Sequence, residues 1–181
     1  THKFSTPHRT LSIDHIPSSY FLVVSRLVPY KKIDVIVRAF NRLPEHHLVV
    51  IGIGSEMERL KKMAYSNTHF LGSVPDHDLP AIYQHATAYL QVNEEDFGIS
   101  MVEAQAAGIP VIAYYSGGAS DIVLDNVTGL LLTANDVQSV SVAVDKSTRM
   151  SFDRVACQQQ AKRFDVAVWK RNISTLLHSY E

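Results

Sequence analysis

An acidic loop leads directly into an apolar segment at residues 93–108, which read NEEDFGISMVEAQAAG. Glu95 lies in the loop, and Glu103 lies one turn into the helix predicted to follow it. Burying a carboxylate without a partner is costly, so Glu103 needs a hydrogen-bond donor or a cation. The two carboxylate oxygens can accept from vicinal hydroxyls, such as those of a ribose. The simpler alternatives are that Glu95 is solvated and that Glu103 pairs with a basic side chain.

The helix predicted to begin near Gly98 offers a second kind of binding group. The first N–H groups of a helix have no partner within it, and the helix dipole favours an anion there. The amides of Gly98, Ile99 and Ser100 therefore form a candidate anion site. Residues 116–120, SGGAS, place consecutive glycines before another short helix and are a further candidate for amide donors.

Two cations follow the first predicted strand, in the segment SRLVPYKK. Arg26 offers a planar fork of donors and Lys31 a point charge, so together they can neutralise a diphosphate. Lys32 is predicted to be their solvated neighbour. The alternative, that Arg26 and Lys31 are ordinary surface cations, is equally compatible with these residues.

Two other motifs favour structural interpretations. Residues 52–57, GIGSEM, begin like a dinucleotide-binding fingerprint, but Met57 stands at the third glycine position, so a plain tight turn is the simpler explanation. Residues 76–78, DHD, have the Asp-x-Asp pattern of some metal sites. Because they precede the predicted helix LPAIYQHA, we expect Asp76 to be an N-cap and Asp78 a first-turn acid. No metal is predicted.

These candidates must be positioned by alternating strands and helices. β-branched runs predict strands in YFLVVSRL, HHLVVIGIG, THFLG, TAYLQVN, PVIAYY and GLLL, with helical periods between them, the second of which has Ser55 as its expected N-cap. After Asp136 the chain is predicted to be helical, with a polar break at 146–151. This alternation indicates an α/β fold with a Rossmann-like, doubly wound parallel sheet. Ligands of such sheets bind beyond the carboxyl ends of the strands, where the strand order reverses.

Composition excludes several classes of protein. The 181 residues are 46% hydrophobic and 19% charged, with a formal net charge of −1, so nucleic acid is not an expected partner. The single cysteine, Cys157, favours a buried structural role and a reducing, cytoplasmic compartment. Residues 1–19 are predicted to be an irregular lead-in and residues 20–181 a single domain. Since the chain starts at Thr1, we expect it to be part of something longer.

The pattern resembles retaining glycosyltransferases of the GT-B fold, glycosyltransferase family 4 (group 1). The resemblance rests on Glu95, seven intervening residues and Glu103, with Phe97-Gly98 between them and EAQAAGIPVIA from Glu103 onward. Further blocks follow the family's order: VSRLVPYKKID, VVIGIGSEMERL, THFLGSVPDHDLPAIYQHATAYL, PVIAYYSGG and DNVTGLLL. The chain departs from the family at Ser25, where glycine is common, and at Asp121, where glutamate usually follows the two glycines.

The resemblance implies roles for the matching residues. Arg26 and Lys31 would hold the donor diphosphate and act in catalysis, Glu95 would contact the donor sugar, and Glu103 would hold the nucleotide ribose. The amides of residues 98–100 would bind phosphate or sugar. We also assign Gly54, in the turn after the second strand, to the donor site.

The resemblance further implies that the chain is the C-terminal, donor-binding domain of a two-domain enzyme. The absent N-terminal domain would bind a glycan or lipid-linked acceptor, and could attach the enzyme peripherally to the inner face of the membrane. The isolated domain is therefore expected to be inactive. The donor would be GDP-mannose, which the segment EDFGISMVEAQAAG favours slightly, or a UDP-sugar, bound without a metal or other cofactor. Two alternatives stay open: a non-catalytic module that binds a sugar nucleotide, and a GT-B nucleotide-sugar epimerase.

Overall fold

A computed structural model describes residues 2–5 and 16–178. Its strands are β1 (Phe21–Val24), β2 (Leu48–Ile51), β3 (Thr68–Gly72), β4 (Ala88–Gln91), β5 (Val111–Tyr114) and β6 (Gly129–Leu132). Within the described residues these strands form one parallel sheet in the order β3-β2-β1-β4-β5-β6. The predicted α/β class and the Rossmann-like doubly wound sheet are confirmed.

Helices connect the strands and cover both faces of the sheet. They are α1 (His2–Ser5), α2 (Ile33–Phe40), α3 (Met57–Met63), α4 (Leu79–His85), α5 (Ile99–Ala106), α6 (Ala119–Ile122), α7 (Val137–Thr148), α8 (Arg154–Lys162) and α9 (Val166–His178), with a 3₁₀ turn at Pro29–Lys31. The polar break predicted at 146–151 lies slightly later, because α7 continues to Thr148 and residues 149–153 separate it from α8.

The inner strands of the sheet are covered on both faces: β2 and β4 are buried at every residue, whereas the edge strand β3 is only partly buried. On one face, Leu22 and Tyr89 join a core with residues of α1, α4, α5, α6 and α8. On the other face, Phe21 and Leu90 join a core with residues of α2, α3 and α7. The two cores hold the strand ends in fixed positions, and the functional loops start from those ends.

Helix α2 shows how the pattern specifies the packing. Its apolar residues Ile33, Ile36, Val37 and Phe40 recur at helical spacing, and all four are buried. The helix therefore lies against the sheet as the sequence predicts. Its N-cap, Lys32, has a φ of 52°, which turns the chain sharply out of the preceding 3₁₀ turn.

The start of α3 differs from the prediction. The N-cap is Glu56, not Ser55, and its side chain makes no capping hydrogen bond to a backbone N–H of the helix. The Glu56 carboxylate is occupied by Arg59, whose Nε donates to it at 2.7 Å. The amide of Met57 donates to the Gly54 carbonyl at 3.2 Å, so backbone contacts close the turn.

The N-cap of α4 also differs from the prediction. Asp78, not Asp76, is the N-cap of α4, and its side chain makes no capping hydrogen bond. The amide of Asp78 instead donates to the Pro75 carbonyl at 3.0 Å. The N-cap thus lies two residues after the expected Asp76, while the helix itself begins at Leu79, where the predicted segment LPAIYQHA begins. The expectation that no metal binds at this segment is a separate matter and stays a prediction.

Part of the stretch expected to be irregular is helical. His2–Ser5 forms the single turn α1, and within it Phe4 is buried. The Phe4 ring meets Tyr83 of α4 edge-on, with centroids 5.4 Å apart. Residues 6–15 lie outside the described residues.

Helix α8 packs along α5 and carries the single cysteine. Cys157 is fully buried, and its Sγ donates to the Thr128 carbonyl at 3.9 Å. The expected structural position of this residue is confirmed. Among the residues that the structure describes, no helix combines the length and apolar character needed to cross a membrane.

Candidate functional site

The centre of the sheet contains the point where the strand order reverses. From β1 the chain continues through α2 to β2 on one side, whereas from β4 it continues through α5 to β5 on the other. The loops after β1 and β4 therefore diverge and leave a crevice at the carboxyl edge, which is where ligands of this fold class bind. The loop after β1 carries Arg26 and Lys31, and the loop after β4 carries residues 93–98.

A cleft of about 350 Å³ occupies this position. It is lined by Val24, Ser25, Arg26, Lys31, Gln91, Glu95, Asp96, Phe97, Gly98, Ile99 and Ser100. Six of the eight residues assigned from the sequence thus meet in one cleft. The other two, Gly54 and Glu103, lie outside this lining.

An ion pair joins the two walls of the cleft. The Nζ of Lys31 donates to Glu95 Oε2, and the two side chains are 13% and 30% exposed. Asn93 Nδ2 donates to the same oxygen at 3.2 Å. Burial alone would raise the pKa of the Glu95 carboxyl, but the hydrogen bonds from Lys31 and Asn93 and the Lys31 charge hold it below its usual value. Glu95 is therefore a fixed, ionised group and not a solvated one.

Tyr30 organises both cations of the first loop. Arg26 Nη2 donates to the Tyr30 hydroxyl at 2.9 Å, and Lys31 Nζ lies 5.1 Å from the centre of the Tyr30 ring. The 3₁₀ turn at Pro29–Lys31 places Tyr30 between them. These contacts bring the two cations to one side of the cleft, which a scatter of independent surface charges would not do.

The opposite side of the cleft presents the start of α5. Gly98 is the N-cap, with a φ of 87°, a conformation that favours glycine. No side chain caps this end. Because the first N–H groups of a helix have no partner within it, the amides of Ile99 and Ser100 are suited to an anion in the cleft. An alanine at position 98 would also place its Cβ 2.1 Å from Met101 Cε.

The SGGAS segment supports the acidic loop, a role that the sequence did not predict. The amide of Gly118 donates to the Glu95 carbonyl at 2.8 Å, so this amide is not free to bind an anion. A Cβ at Gly117 would lie 2.2 Å from the Glu95 carbonyl oxygen, and a Cβ at Gly118 would lie 2.1 Å from that of Phe97. The two glycines thus allow the loop of Glu95 to pack directly against this backbone.

Gly54 serves a similar packing role beside β1. A Cβ there would lie 2.2 Å from the Leu27 carbonyl oxygen, and the Leu27 amide donates to Ile53 at 2.9 Å. The plain turn is thus sufficient to explain this glycine. Its assignment to donor binding stays a prediction.

Glu103 lies below the cleft lining, half-buried in α5. The Tyr83 hydroxyl donates to its Oε2 at 3.2 Å. Burial raises the pKa of the Glu103 carboxyl, and the hydrogen bond from Tyr83 and the charge of Lys3 only partly offset this effect. A tyrosine hydroxyl therefore serves as the partner that the sequence left unidentified.

A family model for glycosyl transferases group 1 matches residues 16–164. This match covers most of the chain, including every residue that lines the cleft. The chain belongs to the group 1 glycosyltransferases.

Curated relatives of this group 1 domain are longer than it is. It is 34% identical over 167 residues to the GDP-mannose-dependent alpha-(1-6)-phosphatidylinositol monomannoside mannosyltransferase of Mycobacterium tuberculosis H37Rv, covering 81% of this chain and 43% of that enzyme. It is 30% identical over 171 residues to the D-inositol 3-phosphate glycosyltransferase of Mycobacterium bovis BCG Pasteur, covering 87% of this chain and 36% of that enzyme. The chain therefore spans less than half the length of both.

A solved structure supports the fold assignment. The HepE protein of Anabaena in complex with UDP-glucose superposes with a TM-score of 0.76 at 24% identity, covering 89% of this chain and 49% of that one. At this identity the likeness establishes the fold, the Rossmann-like half of a GT-B architecture.

Several residues that support the cleft escaped the sequence-based prediction. Tyr30, Asn93, the amide of Gly118 and the small size of the glycines at 117 and 118 all position Lys31 or Glu95. Tyr30 and Asn93 do follow strands, which was the available signal, but neither residue type indicates this role by itself. None of the described residues forms a group of three or more His, Cys, Asp or Glu arranged to hold a metal ion.

Proposed function

We propose that this chain is the donor-binding half of a retaining glycosyltransferase that takes a hexose from a nucleoside-diphosphate sugar. The observation that carries the proposal is the pairing of Lys31 with Glu95 across the switch-point cleft, opposite the start of α5. A cleft with cations on one wall and helix amides on the other suits a diphosphate.

The reaction chemistry follows from these groups. Cleavage of the sugar–phosphate bond leaves negative charge on the departing nucleoside diphosphate, and fixed charges that favour this state lower the barrier. Arg26, Lys31 and the amides of residues 98–100 would stabilise that charge. Glu95, held ionised, would accept hydrogen bonds from hydroxyls of the donor sugar, and Glu103 would accept from the ribose.

We propose GDP-mannose as the donor. Support comes from the Mycobacterium tuberculosis relative, whose name gives GDP-mannose dependence, at 34% identity. A UDP-sugar is the competing donor, since HepE is described in complex with UDP-glucose. A direct comparison of the two nucleotides decides between them.

The acceptor, a glycan or a lipid-linked sugar, would be bound by a further domain. The chain spans 43% of the length of its mycobacterial relative, which leaves room for such a domain. For this reason the chain alone is expected to bind the donor and not to transfer sugar.

Calorimetry with GDP, UDP and GDP-mannose, each with and without EDTA, tests the proposal. We expect micromolar to millimolar binding that EDTA does not change, because Arg26, Lys31 and backbone amides supply the positive charge. Lys31→Ala should weaken nucleotide binding by about 1.5–3 kcal/mol, the range for charge-assisted hydrogen bonds. Lys32→Ala is the matched control and should be nearly silent. Equal losses from both variants, or binding abolished by EDTA, would contradict the proposal.

A further inference from the structure

The Lys31–Glu95 pair joins two groups that the proposed function assigns to different parts of one ligand. Lys31 is assigned to the diphosphate and Glu95 to the sugar, yet in this structure Glu95 Oε2 accepts from the Lys31 ammonium. The residues are 64 positions apart in the chain, so the contact is made by the fold and not by local sequence.

The Glu95 carboxylate is held firmly in this position. Asn93 Nδ2 donates to the same Oε2 at 3.2 Å, and the amide of Gly118 fixes the Glu95 carbonyl at 2.8 Å. The pKa of the carboxyl, below its usual value, keeps it charged at neutral pH. A ligand that contacts Lys31 therefore meets the negative charge of the Glu95 carboxylate, which Asn93 and Gly118 hold in place.

A free nucleoside diphosphate and a nucleoside-diphosphate sugar meet this charge differently. The free diphosphate brings anionic oxygens to Lys31 and offers no sugar hydroxyl to Glu95. It must either break the ion pair or accept a like charge beside it, and both cost affinity. The sugar nucleotide supplies hydroxyl donors, so the displaced carboxylate regains hydrogen bonds.

We propose that Glu95 sets the preference of this site for the donor over its spent product. It does so by competing for Lys31 whenever no sugar occupies the cleft beside it. The inference rests on the proposed function, and it adds a consequence: the same carboxylate that binds the sugar promotes release of the nucleoside diphosphate after transfer.

The test measures dissociation constants for matched ligand pairs, GDP with GDP-mannose and UDP with UDP-glucose, on the 181-residue chain. Glu95→Gln removes the charge with little change in size, and Glu95→Ala repeats the test without an amide. Asp96→Asn is the control, because Asp96 lines the same cleft and carries the same charge but is exposed. Thermal unfolding checks that each variant is folded.

We expect Glu95→Gln to tighten binding of the free diphosphate by about threefold to fivefold, the scale of one partly exposed ion pair. The same variant should weaken binding of the sugar nucleotide. Asp96→Asn should change both ligands by the same small factor. When Lys31→Ala is already present, adding Glu95→Gln should no longer tighten binding of the free diphosphate, because the competition acts through Lys31.

The outcomes separate this inference from the function on which it rests. If the unaltered chain binds none of the four nucleotides, the proposed function fails. If it binds them, and both Glu95 variants weaken the free diphosphate and the sugar nucleotide equally, the function stands and the competition is refuted. The competition is also refuted if the tighter binding of the free diphosphate persists in the Lys31→Ala background, or if Asp96→Asn reproduces it. In either case the effect comes from the overall negative charge of the cleft and not from the Lys31–Glu95 pair.

Discussion

Replacement of Gly118 by alanine should distort the proposed donor site, because Gly118 packs against the backbone of the loop that carries Glu95. The φ of Gly118 is −60°, so alanine adds no backbone strain, but its Cβ would lie 2.1 Å from the Phe97 carbonyl oxygen. Cβ atoms are essentially never found within 3.0 Å of such an atom, so the backbone must separate by about 0.9 Å. Since all three of the nearest atoms belong to the Phe97 backbone, no side chain can rotate away, and the loop carrying Glu95 must shift.

That shift should lower both the stability of the fold and the affinity for the sugar nucleotide. Overpacking of this kind costs about 1–3 kcal/mol of stability. A displacement near 1 Å also spoils the hydrogen-bond geometry of Glu95 and Lys31, so binding of the sugar nucleotide should fall by about tenfold or more.

Gly108→Ala provides the control for stability. Gly108 follows α5 at the end remote from the cleft, has a φ of 82°, and would place its Cβ 3.3 Å from both Cβ and Nε of Arg154, a contact that a shift of a few tenths of an ångström relieves. Its cost should be about 1–2 kcal/mol of backbone strain, comparable to that of Gly118→Ala. Calorimetry and thermal unfolding should then show two variants of similar stability, of which only Gly118→Ala loses affinity. Similar affinity losses in both would mean that Gly118 does not position Glu95 specifically.

Two further predictions concern partly buried ionisable groups. Glu103→Gln should keep the contact with Tyr83 and leave the unfolding temperature unchanged or higher, because burial disfavours the charge. The substitution should also weaken nucleotide binding. Removing the ribose hydroxyls, as in a 2′,3′-dideoxy nucleotide, should reduce affinity for the unaltered chain but reduce it far less for Glu103→Gln. If the loss from the substitution and the loss from the missing hydroxyls simply add, Glu103 does not contact the ribose. Burial is the main cause that lowers the pKa of His69, and the charge of His47 adds to it. The unfolded chain therefore binds the His69 proton more readily than the folded chain does. The free energy of unfolding should fall as the pH drops below about 6.5. Denaturant unfolding between pH 7.5 and 5.5 should show a shallower slope in His69→Gln, whereas His77→Gln, whose side chain is 81% exposed, should match the unaltered chain.

Much of the fold could be predicted because its strands are short and clearly bounded. THFLG and GLLL match β3 and β6 residue for residue. The apolar spacing of α2 likewise identified its buried face. The N-caps Glu56 and Asp78 could not be predicted from residue type, since backbone contacts in the preceding turns determine them and not a side-chain hydrogen bond.

The site was predictable as far as position relative to a strand determines contact. Arg26, Lys31 and Glu95 each follow a strand, and the sheet brings β1 and β4 side by side. Tyr30 and Asn93 are close in the chain to Lys31 and Glu95, but their residue types do not indicate these contacts. The other partners were not predictable because they come from segments distant in the chain. Tyr83 precedes Glu103 by 20 residues, and Gly118 reaches the loop of Glu95 from the next connection. Such pairings depend on how α4, α5 and α6 pack.

The buried thiol of Cys157 provides a probe of local opening of the fold. Burial raises the pKa of the Cys157 thiol to about 11, so at neutral pH its reactive thiolate is scarce as well as inaccessible. Helix α8, which carries Cys157, packs against α5, so we expect opening of α8 away from α5 to expose the thiol and the labelling rate to report that opening. Because α5 begins at the cleft, a nucleotide bound there by its first amides, as proposed, should slow the reaction. The labelling rate of Cys157 would thus report whether a nucleotide occupies the cleft, without any label placed in the cleft itself.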